Sequence, residues 1–198
     1  GDGLLTLNQA NTYLGATQVV SGTLRLAGVG LQTVASTEVQ VSGGILELAS
    51  GGQINPNAAL VLDGGTFVFV NGVTGQTQQF RTMRVESGSL VTGANTLVGT
   101  GSTLTLSGGN TVISAGGRIE DRHIVLSGGT NLVAAGGALV LLANPNNGAA
   151  SGLELVGRAD GLPLLTLEGG ADPARFNIGA DILVSGETSK ALLESTLN

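Results

Sequence analysis

The densest group of reactive side chains is the run Arg118-Ile119-Glu120-Asp121-Arg122-His123, which holds two carboxyls, two guanidiniums and the sole histidine. Two carboxyls beside a glycosidic bond can act as acid and base, and an imidazole can move a proton near neutral pH. The run is therefore the one place that could house polysaccharide cleavage. That chemistry requires Glu120, Asp121 and His123 to converge in a groove with a further acid from an adjoining segment. The competing reading is a charged stretch joining two structural units, with charges of both signs turned to solvent. A site built on His123 would need carboxylates for nearly every other metal ligand, and none is spaced to provide them. No catalytic, cofactor-binding or metal-binding residue is assigned, and no cofactor is expected.

Arg81, Arg84 and Glu86 form a smaller group, in which Arg84 and Glu86 share strand parity and can pair on one face. An exposed pair of this kind is worth about 0–1 kcal/mol. Asp63 and Glu168 stand directly before Gly-Gly, where Ser42, Ser107 and Ser127 stand elsewhere, and so read as turn residues. Calcium-binding repeats need aspartates that recur with the glycines, and the six aspartates here do not. Thr111 and Asn131 fall where alternation points inward, in line with Leu46, Phe67 and Leu90. A hydroxyl and an amide there are expected to hydrogen-bond along a stack.

The elements that must carry these residues follow from a period. Gly-Gly recurs at Gly43-Gly44, Gly64-Gly65, Gly108-Gly109, Gly128-Gly129 and Gly169-Gly170, with Gly88 between, and a second turn follows at Gly51-Gly52, Gly72, Gly116-Gly117 and Gly136-Gly137. The segments between them, such as Leu104-Thr105-Leu106 and Ile124-Val125-Leu126, alternate with period two, so each predicts a short strand with one face inward. Glycine lets the backbone take φ > 0 at the corners. Strands this short cannot bury a face alone, and stacking them in register solves that. The expected fold is all-β: a single-stranded right-handed parallel β-helix with coils of about 20–21 residues. Its inward columns would hold Val41, Leu62, Leu106, Leu126 and Leu167 on one wall, and Leu48, Phe69, Ile113 and Val133 on another. The β-helix is expected over 1–185. Residues 144–163 read as a coil with a lateral excursion. Residues 186–198 read as a cap, a linker or the start of another module, with a short helix over Ser189-Lys190-Ala191-Leu192-Leu193-Glu194.

Composition narrows the partners. A net charge of −6 with only eight Lys and Arg residues, scattered, argues against nucleic acid as a partner, since a phosphate-binding face needs clustered cations. No apolar run approaches the ~18 residues that cross a bilayer as a helix. Cysteine is absent, so neither disulfides nor thiolate metal sites arise. The opening Gly1-Asp2-Gly3 reads as the beginning of an excerpt.

The first 28 residues carry a more specific pattern. Gly3-Leu4-Leu5-Thr6-Leu7, Asn11-Thr12-Tyr13, Gly15, Thr17, Val19 and Gly22-Thr23-Leu24-Arg25-Leu26-Ala27-Gly28 resemble the autotransporter-associated β-strand repeat, with Asn8-Gln9-Ala10 in place of the usual loop glycine. The resemblance implies a secreted or surface-displayed bacterial β-helix, often a stalk for adhesive or enzymatic parts, that folds progressively during export. It brings no invariant catalytic residues.

Together these readings lead to a non-catalytic extracellular structural solenoid: a stalk, adhesin segment or fibre subunit. Neither end has a convincing polar cap, so copies are expected to stack end to end into filaments. The alternative is a module that binds glycans or other surface proteins, for which Tyr13 and the phenylalanines would have to lie on the surface. A polysaccharide-active enzyme is the third reading.

Overall fold

Alternating apolar residues between glycine corners give twenty strands among the described residues of the computed structural model. The structure describes residues 1–99, 103–142, 152–156, 158, 160 and 162–168, and the backbone alone of 175–178, 182–185 and 193–196. No helix occurs among the described residues, and the strands pair only in parallel. The protein is a parallel β-solenoid, with three walls wherever its third side forms strands.

The second wall begins with β1 (Leu4–Leu7), and the first with β2 (Thr17–Val19). β3 (Thr23–Leu26) and β5 (Ile45–Leu48) continue the second wall, and β4 (Glu38–Val41) the first. β6 (Ala59–Phe69) and β8 (Thr82–Val91) run through both, which joins the two walls into one 15-stranded sheet. Beyond them the first wall holds β10 (Leu104–Leu106), β13 (His123–Leu126), β16 (Gly152–Val156) and β19 (Ile182–Ser185). The second holds β11 (Asn110–Ile113), β14 (Thr130–Val133), β17 (Leu165–Glu168) and β20 (Leu193–Thr196). The third wall is a separate five-stranded sheet of β7 (Thr74–Phe80), β9 (Ala94–Gly99), β12 (Arg118–Asp121), β15 (Ala138–Leu141) and β18 (Arg175–Ile178).

Register builds the core directly, because the alternation places every second residue inside. Val19, Val41, Leu62, Val85, Leu106, Leu126 and Leu155 form one inner column of the first wall. Leu24, Leu46, Phe67, Leu90, Thr111 and Asn131 line the second wall, and Gln78, Leu97, Ile119 and Leu139 the third. Where the third wall begins, Phe67 meets Phe69 and Phe80 edge-on, with centroids 6.0 and 5.8 Å apart.

The corner glycines do more than supply φ > 0. Gly109 has φ +66°, whereas Gly65 does not adopt a positive φ. A Cβ on Gly65 would stand 2.7 Å from the Gly44 carbonyl oxygen, and one on Gly109 2.6 Å from that of Gly88. Each corner therefore nests on the one before it, and close approach is a reason for glycine that the turn conformation alone does not cover.

Three expectations need correction. Leu167 does not continue the column of Leu126; Leu155 does, while Leu167 pairs with Val133 on the second wall. Glu168 consequently ends a second-wall strand instead of filling the corner of Asp63 and Ser127. The cause is the lengthened coil at the lateral excursion expected over 144–163: Ile124 pairs with Leu153, whereas Leu104 pairs with Ile124. Residues 144–151, 157, 159 and 161 of it lie outside the described residues. Leu193 and Glu194 are not helical but open β20, which pairs with β17; residues 189–192 lie outside the described residues.

Candidate functional site

The run 118–123 is two strands and a one-residue corner. β12 points Ile119 and Asp121 inward and Arg118 and Glu120 outward, where the last two form an ion pair. Arg122 makes the turn, and His123 opens β13 on the outer face of the first wall, its Nδ1 3.2 Å from Thr103 Oγ1. Glu120 and Asp121 thus lie on opposite faces of one sheet, and the groove that acid–base chemistry requires is not formed by these three side chains. Asp121 also departs from the reading of a charged stretch turned to solvent: it is fully buried.

The surroundings of Asp121 are specific. Its Oδ1 accepts from the backbone N–H of Arg122 at 2.7 Å and of His123 at 3.4 Å, tying the corner to the strand before it. Its Oδ2 has no hydrogen-bond partner among the described residues. On the preceding coil it faces Gly99, and a Cβ there would collide with the carboxylate. On the following coil it faces Leu141. Burial pushes its pKa from the ordinary 3.8 up to about 6, against the two N–H bonds and the charges of His123 and Arg122. The signal for this placement was in the sequence, since Asp121 shares the parity of Ile119.

The other polar candidates are structural in geometry. Arg84 and Glu86 pair on the outer face of β8 at 3.0 Å, as their parity suggested, with Arg81 exposed at the preceding corner. Asp63 accepts from Ser87 Oγ at 3.2 Å, and Glu168 Oε2 accepts from Ala135 N at 3.3 Å. Thr111 and Asn131 are neighbours in the inner column, as expected. The bonds run differently: Asn131 Nδ2 donates to the carbonyls of Gly128 and Leu164, while Asn131 Oδ1 and Thr111 Oγ1 have no hydrogen-bond partner among the described residues. Among the described residues no three His, Asp or Glu side chains gather as metal ligands.

Sequence reasoning missed a set of buried amides. Gln53 accepts from Gly28 N at 2.9 Å and donates to Gly28 O and Ser50 Oγ. Gln78 brackets Ile54, accepting from its N–H at 3.2 Å and donating to its carbonyl at 3.0 Å. Asn95 bridges Gln76 N with the carbonyls of Val73 and Thr92. A polar amide shortly after a corner glycine, inside otherwise apolar alternation, was the available signal. Arg158 does related work beyond the long coil, donating to Gly129 O at 2.5 Å while gripping Asp160.

At the start of the stack, Leu5 lies in the column of Leu24 yet is 59% exposed, and Leu4 and Val20 beside it are exposed as well. With Val19 and Leu24 they line a cleft of about 390 Å³. Aromatic placement is divided: Phe67, Phe69 and Phe80 are buried, whereas Tyr13 is exposed, with its hydroxyl 3.0 Å from Thr17 Oγ1. Comparison of the chain with protein families, curated proteins and solved structures gives no match.

Proposed function

We propose that this chain is a length of non-catalytic, extracellular structural solenoid from a bacterial surface or secreted protein, a stalk, adhesin segment or fibre subunit whose coils stack end to end. The observation that carries the reading is the continuous parallel register, in which one coil after another pairs through the same inner column. Leu5 occupies a core position and is 59% exposed, whereas Leu46, two coils on in the same column, is fully buried. A parallel strand laid against β1 would extend that column, and between copies such a contact joins the end of one stack to the start of the next. The contact is heterologous and need not close, so it generates a linear assembly.

The bacterial, exported setting rests on the likeness of residues 3–28 to the autotransporter-associated repeat. The absence of catalysis is supported by the divergence of Glu120, Asp121 and His123. A glycan-binding module draws little support, because three phenylalanines that could form a sugar platform are inside.

Electron microscopy at rising protein concentration tests the assembly. Filaments with an axial repeat of one subunit are expected, and Leu5→Glu, which places a charge in the contact, should return them to single rods. Rods that stay single at every concentration overturn end-to-end stacking.

A further inference from the structure

Of the buried polar side chains among the described residues, Asp121 alone is ionisable. We infer that Asp121 is a proton-controlled keystone of the third wall, which is tight when the neutral carboxyl fills the notch left by Gly99 and loosens when the carboxylate forms. The notch is a geometric fact, since no side chain at 99 could coexist with the carboxyl where it sits.

The charged groups around Asp121 are few. β9, with Gly99 ahead of it, and β15, with Leu141 behind, contain no titratable residue, and neither does β7. Its own strand turns Arg118 and Glu120 to the outer face, where they pair with each other. The corner and β13 supply Arg122 and His123, whose positive charge favours the carboxylate, as do their backbone N–H groups on Oδ1. No described residue gives Oδ2 a hydrogen bond. Desolvation outweighs these attractions, so the folded chain holds the proton more tightly than the unfolded chain.

The sign follows from linkage. The folded-state pKa is about 6 against an ordinary 3.8, so the folded state binds more protons between those values. The resulting stability is fully present below about pH 4 and is lost as pH rises through about 6. The corresponding change in the folded-to-unfolded ratio is about a hundredfold. The solenoid tightens in acid, contrary to the usual behaviour of paired carboxylates.

Two measurements test this. A carbon-13 titration of the Asp121 carboxyl reads that group and not the neighbouring imidazole; a midpoint near 6 is expected. Denaturant unfolding of the native chain and Asp121→Asn from about pH 4 to about pH 8 should show the hundredfold loss in the former, missing from the latter. A carboxyl midpoint near 4, or parallel stability curves for the two proteins, overturns the inference. If Asp121→Asn does not fold, the carboxyl titration decides alone.

Discussion

Residues 27–58 and residues 74–141 close the same side of the solenoid by different means. In the later stretch a regular sheet does it, with Leu97, Ile119 and Leu139 stacked inside and the backbone paired along the ladder. In the earlier stretch that side carries the isolated bridge of Val34 to Ile54 in place of strands, and the buried side chains include Thr33, Ser36 and Gln53. There, beside backbone bonds such as those from Thr33 N and Val34 N to Gln53 O, side chains take up further backbone groups: Gln53 serves Gly28, Asn11 Nδ2 donates to Thr33 O and Asn55 Nδ2 to Ala35 O. Gln78 stands at the seam, a member of the regular column whose amide reaches back to Ile54. A coil can lose its third strand if a buried amide presents the donor and acceptor that the missing strand would have offered. The sheet tolerates apolar exchange, whereas the amide-closed side depends on single residues.

The sharpest way to break this contrast is at the junction. Phe67→Ala removes the ring that packs against Phe69 and Phe80 where the third wall starts, and should cost about 3–5 kcal/mol in denaturant unfolding. Gln53→Leu comes next: it keeps the volume but strands the Gly28 N–H and carbonyl in the interior. Each stranded group costs about 1–3 kcal/mol, and an unfolding curve indistinguishable from the parent would refute the bracing role of the amide. The smallest effect belongs to the outer surface that both regions share. Arg25 and Glu47 pair across adjacent coils at 2.8 Å and remain partly exposed, so Arg25→Ala should change stability by about 1 kcal/mol or less, and by less still in high salt.

Much of the architecture was readable because alternation and corner glycines each encode one local geometry. Thr111 and Asn131 were placed in the right column by parity alone. Leu167 was misplaced because Gly169-Gly170 looks like Gly128-Gly129, and a dipeptide cannot say which corner it turns once a coil of different length intervenes. Asp121 was read by its charge instead of its parity. Whether a buried carboxyl is tolerated depends on Gly99, twenty-two residues earlier, and no local pattern links the two. The bracing role of Gln53 and Gln78 was hidden for a similar reason: their partners are backbone atoms of other coils, which carry no sequence signature.

The nesting of corner on corner also makes the chain divisible. Leu104 pairs with Met83 on one side and with Ile124 on the other, through the same inner column. Excising Leu104 through His123 would therefore set Ile124 against Met83, and glycine would again rest on glycine at the corner. The scar would fall in one place, where Gly99 would face Leu141 with no carboxyl between them. Inheritance can lengthen or shorten such a molecule by whole floors, and the gene records its height as a count.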